Sequence, residues 1–194
     1  YVLPRILGAF LKQYPHVHLS LVSGNTERIV EAVAEETVAL GIIEGPAMRR
    51  DVKTERMVRD EMVLIVNPNH AWAKAGAIEP EDLTTAPLLL REQGSGSRRV
   101  VERALKAAGL PLRSLKVAME LDSTEAIISG VEAELGVGFV SRWAIGKVTR
   151  LGTIRVIAVE GLEILRDFSF VRIAGTELVG TPAAFQRFAA ASVQ

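Results

Sequence analysis

The sequence predicts an α/β chain of two similar units with a ligand cleft between them. Three observations carry that expectation. Apolar residues switch repeatedly between three-and-four spacing and short apolar runs, and the joints between these segments are short and rich in glycine and polar residues. The alternation stops at a loop-like stretch, NPNHAWAKAG (67–76), and begins again beyond it. Helices and strands in strict alternation are what a parallel sheet with crossover helices requires.

Each element follows in order. Leu3, Ile6, Leu7, Phe10, Leu11 and Tyr14 fall on one helical face, so residues 3–14 are read as a helix that Pro15 stops. Burial in its own unit is an ordinary use of such a stripe. HLSLV (18–22) alternates and is rich in strand formers, which predicts a strand; GNT makes a turn, and Ile29, Val30 and Val33 resume helical spacing. LGII (40–43) and MVLIV (62–66) are apolar runs read as strands.

Beyond the loop, LLL (88–90) precedes a helix at 98–108, KVAMEL (116–121) a helix at 124–134, and VGFV (137–140) a short helix near 142–147. IRVIAV (154–159), EGLEI (160–164) and FSFVRI (168–173) lead to a last helix, for which Thr181 is the expected cap and Pro182 the first position, with Phe185, Phe188 and Ala189 as its stripe. Crossings near 67–70 and 161–166 assign 1–68 with 165–194 to the first unit and 69–164 to the second. Internal sequence repeats and low-complexity tracts are not evident.

Composition bounds the function. With 48% hydrophobic and 24% charged residues in 194, the chain has the make-up of a globular protein with a real core, not of a disordered or collagen-like one. Positive and negative charges balance at 23 each, so the basic stripe of a duplex-binding domain is missing. The absence of cysteine removes disulfides, thiolate metal sites and cysteine nucleophiles, and fits a reducing compartment such as the cytoplasm. YVLPRILGAF lacks the pattern of a signal peptide, and no apolar run approaches the roughly 20 residues of a spanning helix. A start on Tyr1 suggests a piece of a longer chain.

Open α/β folds bind small ligands outside the carboxyl ends of their strands, so the site is expected at strand-to-helix loops. Four of these are polar: SGN (23–25), EGP (44–46), QGSGS (93–97) and DSTE (122–125). In QGSGS, glycines let the first backbone amides of a helix converge on one point, where the amides and the helix dipole attract a carboxylate, sulfate or phosphate. Arg98 and Arg99 oppose that dipole from the first turn, a cost that a bound anion would offset. The plainer reading makes Ser97 an N-cap and leaves the arginines in water. DSTE offers Asp122 or Ser123 as a cap with Glu125 for a reciprocal bond, and Ser123 and Thr124 as ligand contacts if the strand ends at the cleft. Glu44, directly after an apolar strand, suits an ammonium, or is simply a rim charge.

Catalysis is not expected. His16 and His18 are two apart without a third metal ligand, His70 stands alone, and neither GxSxG, HExxH nor a convincing acid–base carboxylate pair is present. Neither metal nor cofactor is anticipated.

YVLP with its helix to QYP, SGNTERIVEAV, LGIIEGP, MVLIVNPNHAWA, LLLREQGSGSRR, ELDSTEAI and ELGVGFVSRWA strongly resemble, in order and end to end, the effector-binding domain of LysR-type transcriptional regulators. The resemblance implies two Rossmann-like subdomains, like a type 2 periplasmic binding protein, with an effector cleft between them. It also implies a winged helix-turn-helix outside this chain that contacts promoter DNA, and assembly as a homodimer or homotetramer.

The same resemblance implies that the family's first strand and its hydroxyl-bearing turn, just before YVLP, are missing. Cleft contacts carry over onto Glu44, Ser95, Gly96 and Ser97, with Asn25, Thr26, Ser123, Thr124 and Ser141 lining the pocket. SGNTE, IIEGP and REQGSGSRR look most like the branch regulating cysteine biosynthesis and sulfur assimilation, which departs here at Ser23 and Ser97; an effector such as O-acetylserine would suit it. The rival expectation is a free-standing solute-binding protein of a transporter.

Overall fold

The computed structural model describes residues 3–193, so Tyr1 and Val2 of the YVLP motif lie outside the described residues. In chain order the strands are β1 (Gly41–Glu44), β2 (Val52–Val66), β3 (Ala77–Ile78), β4 (Pro87–Arg91), β5 (Lys116–Leu121), β6 (Val137–Ser141), β7 (Arg155–Val159) and β8 (Ile164–Ile173). The helices are α1 (Leu3–Gln13), α2 (Thr26–Ala34), α3 (Trp72–Ala75), α4 (Gly96–Ala107), α5 (Thr124–Glu132), α6 (Gly146–Leu151) and α7 (Gly180–Ala191). The chain separates into two units, Tyr1–Arg59 with Asp167–Gln194, and Asp60–Arg166, so both joints fall within strands, in β2 and in β8.

In the first unit β1 runs antiparallel to β8, with Gly41 opposite Val171 and Glu44 opposite Phe168. The helix stripes read from spacing supply the core: Ile6 and Phe10 of α1 pack with Phe170, Phe185 and Ala189, and Ile29, Val30 and Val33 of α2 pack with Ile43 and Val171. Phe10 meets the ring of Phe185 edge-on at 5.2 Å, so the inner part of the α1 stripe is used inside its own unit.

Three expectations are corrected here. HLSLV (18–22) is not a strand, and Leu19, Leu21 and Val22 are exposed. Alternation sets which way side chains face, but a strand also needs a neighbour to pair with; 18–22 instead borders an apolar groove of about 450 Å³, lined by Leu3, Leu7, Leu19, Leu21, Val38 and Leu40 among others. The cap of α7 is Val179, with Gly180 first and Thr181 and Pro182 inside the opening turn, where a missing N–H costs nothing. MVLIV is only the end of β2, which begins ten residues earlier at Val52 in a polar, mostly exposed stretch that apolar patterning does not mark.

In the second unit, β4 lies parallel to both β5 and β6, β3 is parallel to β7, and β2 enters antiparallel to β6 and β7. The sheet is therefore mixed rather than parallel throughout. Its inner strands are covered on both faces: Leu64, Val66, Leu88 and Leu90 face Val101 and Leu105 of α4, while Val63, Ile65 and Leu89 face Ile127 and Val131 of α5. Double coverage is the reason MVLIV and LLL read as unbroken apolar runs instead of alternating ones.

Close packing around β4 makes one glycine indispensable. A Cβ on Gly136 would stand 2.4 Å from the main-chain oxygen of Pro87, whereas a Cβ on Gly146 would meet nothing within 4 Å. Gly136→Ala is expected to destabilise the protein by about 2 kcal/mol or more, since backbone must move. Gly146→Ala is expected to leave stability unchanged or raise it by about 0.5 kcal/mol. Urea melts followed by circular dichroism check both.

Candidate functional site at the start of the α4 helix

β4 delivers the chain into α4 through Glu92–Ser95. Gly94 has φ of 83°, in the left-handed region that favours glycine, which accounts for the first glycine of QGSGS. Ser95 is the N-cap: its backbone is extended and its Oγ accepts the amide of Arg98 at 3.3 Å. Ser97 is therefore not the cap but a first-turn residue. Ser95, Gly96 and Ser97 are all buried, and the amides of Gly96 and Ser97 precede the first intrahelical bond, the donation from Arg99 to the Ser95 carbonyl. The helix start is thus interior and rich in donors.

Arg98 departs from the plain reading, while Arg99 is half-buried and donates to the Gly94 carbonyl at 3.4 Å. Arg98 is buried, with Nε donating to Glu102 at 2.6 Å and one terminal nitrogen 2.8 Å from Glu120 and 2.9 Å from the Arg91 carbonyl it donates to. Burial pulls its pKa down, but the hydrogen bonds it donates to Glu102 and Glu120 outweigh burial and hold it above the ordinary arginine value. Two carboxylates thus answer Arg98 at this helix start.

Arg91, at the end of β4, donates to Glu92, to Thr124 Oγ1 at 3.2 Å and to the Asp122 carbonyl, tying the start of α5 to the start of α4. Ser123, rather than Asp122, caps α5, its Oγ accepting the Ala126 amide at 3.1 Å. Ser141, buried at the end of β6, accepts the Trp143 amide.

Sequence reasoning missed the group beneath the loop. Arg166 of β8 donates from Nε to Asp60 Oδ2 at 2.7 Å and from a terminal nitrogen to Ser97 Oγ at 2.6 Å, with the two side chains of the pair 1% and 0% exposed. Asp60 Oδ1 has no hydrogen-bond partner among the described residues. The available signal was the repeated dipeptide Arg59-Asp60 and Arg166-Asp167, a charge pair set where each strand turns apolar. In the first unit Arg59 and Asp167 stand 3.8 Å apart, Arg59 exposed and Asp167 half-buried.

The remaining expected residues lie in the first unit. Asn25 caps α2, its Oδ1 accepting the Arg28 amide at 3.0 Å, and Thr26 Oγ1 donates to the Glu44 carbonyl at 3.2 Å, so these three come together at the end of β1. Glu44 also lines a small recess with Leu3, Ser23 and Phe168. The larger groove beside α1 is apolar and shares Leu3, Leu21, Ser23 and Ile42 with this recess. No cluster of potential metal ligands occurs among the described residues. His70 accepts the Trp72 amide, and burial lowers its pKa below the ordinary histidine range.

Open α/β units bind small molecules at strand-to-helix loops such as those that Ser95 and Ser123 cap in the second unit. The chain belongs to the LysR substrate binding domain family, whose model matches residues 1–194. The transcriptional regulator CbbR of Xanthobacter flavus is 33% identical over 190 residues, covering 97% of this chain and 56% of that protein. The chain spans about half the length of the curated relatives it matches.

Among solved structures, the Synechocystis CcmR regulatory domain in complex with 2-PG superposes with a TM-score of 0.90 at 23% identity, covering 99% of this chain and 91% of that one. The effector-binding domain of QuiR in complex with shikimate gives 0.88 at 17%, covering 100% and 90%. The fold is that of LysR effector-binding domains, the two-subdomain, periplasmic-binding-protein-like class. Among the described residues no helix is long and apolar enough to cross a membrane.

Asp60→Ala strands a buried guanidinium, and a loss of about 3–5 kcal/mol is expected. Glu61→Ala breaks the exposed Arg142–Glu61 pair, for which a loss below about 1 kcal/mol is expected. Thermal melts of the two variants side by side check the contrast.

Proposed function

We propose that this chain is the effector-sensing part of a DNA-binding transcriptional regulator, and that its effector is a small anionic or zwitterionic metabolite held by the start of α4. The observation that carries the reading is a buried helix start, Ser95, Gly96 and Ser97, that offers hydroxyl and amide donors in a family of effector-binding domains. Ser123, Thr124 and Ser141 are proposed as further contacts in the same unit. Asn25, Thr26 and Glu44 are proposed as the contacts from the first unit, with the Glu44 carboxylate answering an ammonium or hydroxyl of the same molecule.

An effector shifts a conformational equilibrium only by the difference in its affinity for the two arrangements. In the proposed protein that difference passes through a homodimer or homotetramer to a winged helix-turn-helix outside this chain, which contacts promoter DNA in the cytoplasm. The domain itself binds without catalysing and without a cofactor. Matched relatives are regulators, which favours this reading over a transporter's solute-binding protein.

The relatives do not single out sulfur assimilation, so O-acetylserine is one candidate among several. Phosphorylated and hydroxylated carboxylic acids fit the same donors. A thermal-shift panel of 2-phosphoglycolate, 2-phosphoglycerate, shikimate and O-acetylserine tests the reading. A true effector at about 100 times its Kd is expected to raise Tm by about 5–10 °C. Ser95→Ala and Glu44→Ala are each expected to weaken its binding at least tenfold by calorimetry. A stabilising ligand whose affinity neither change reduces would place the site elsewhere.

A further inference from the structure

We infer that Arg91 is a positioning residue for effector binding at the start of α5, where it holds residues 122–124 in place and sets the Thr124 hydroxyl as a hydrogen-bond donor toward the effector. The inference rests on the effector reading above and adds a residue that acts through Thr124, on a different loop from the start of α4. β4 and β5 run parallel with Arg91 opposite Leu121, so the last side chain of β4 lies beside the turn that leads out of β5. The Glu92 amide donates to the Leu121 carbonyl at 2.9 Å and ties the two main chains together there. One terminal nitrogen of Arg91 donates to Thr124 Oγ1 at 3.2 Å, and the other to the Asp122 carbonyl at 3.3 Å.

The direction of these bonds follows from the groups. A guanidinium carries donors and no acceptor, so the half-buried Thr124 receives the bond on a lone pair of Oγ1 and keeps its one hydroxyl hydrogen for another acceptor. Ser123 is set in the same way, since its Oγ accepts the Ala126 amide at 3.1 Å. Glu92 makes Arg91 a strut rather than a cation on offer: its carboxylate takes Nε at 2.8 Å and a terminal nitrogen at 3.2 Å, with the two side chains 14% and 24% exposed. Bidentate pairing fixes the plane of the guanidinium and balances its charge, so Arg91 acts through where it holds Thr124. The geometry favours a ligand oxygen that accepts, such as that of a carbonyl or carboxylate, over a group that only donates, such as an ammonium.

The test is a double-mutant cycle read by calorimetric titration with 2-phosphoglycolate, shikimate and O-acetylserine. Thr124→Val keeps the shape of the side chain without its hydroxyl, and Arg91→Met/Glu92→Gln removes the guanidinium without leaving a carboxylate unpaired. Each is expected to weaken the acid that binds best about tenfold, the size of one lost hydrogen bond. The combined variant is expected to fall within about twofold of the weaker of the two, because both remove the same contact. Thr124→Ser, which keeps the hydroxyl, is expected to bind within about threefold of the parent.

Should the paired replacement fail to fold, Arg91→Lys takes its place in the cycle, since one ammonium does not span Glu92, Asp122 and Thr124. Losses that multiply in the combined variant, or an Arg91 replacement that leaves affinity unchanged, overturn the role of Arg91 while the effector site stands. Unchanged affinity in Thr124→Val removes Thr124 from the site and overturns the inference with it. If the parent binds none of the three acids, the effector reading itself fails and this inference falls too.

Discussion

The second unit depends on one constraint: the first amides of a helix have no partner within it, and when the helix start is buried something else must answer them. Leaving one such donor unmet costs about 1–3 kcal/mol. The start of α4 is buried because β4, parallel to its neighbours on both sides and covered by α4 and α5, ends in the interior and delivers the chain there. Ser95 answers one amide with its side chain and another with its carbonyl.

Charge in this region is balanced rather than surplus. Arg91 has Glu92, Arg98 has Glu102 and Glu120, and Arg166 has Asp60, in a chain whose formal charges cancel. The proposed preference for an anion is therefore assigned to fixed dipoles at the start of α4, which act without reorganising when a ligand arrives. Long-range attraction by net charge has little part in it.

Much of the fold was legible because apolar spacing reports burial. Ile6 and Phe10, Ile29 and Val33, and Phe185 and Ala189 all face the cores that their periodicity marks. HLSLV shows the limit, since a period of two specifies faces and says nothing of whether a neighbouring backbone is there to pair. The polar first half of β2 shows the converse: its strand state comes from pairing, which leaves no apolar trace in VKTERMVRDE. At the site, glycine and serine in QGSGS pointed to a helix start, while the cap's true position at Ser95 depended on where β4 stops. Neither reading of Arg98, offset by an anion or facing water, anticipated Glu102 and Glu120, which come from the next turn of its own helix and from a separate strand. Asp60 and Arg166 are 106 residues apart, and only the fold joins them.

The first contacts of an acidic ligand are proposed on the backbone of residues 96 and 97, and amide proton–nitrogen correlation spectra of the labelled protein titrated with 2-phosphoglycolate read such contacts directly. The largest perturbations are predicted at the amides of Gly96 and Ser97 and at the Arg166 side-chain Nε. Perturbations centred instead on the apolar groove beside α1, with residues 95–98 unmoved, would contradict it.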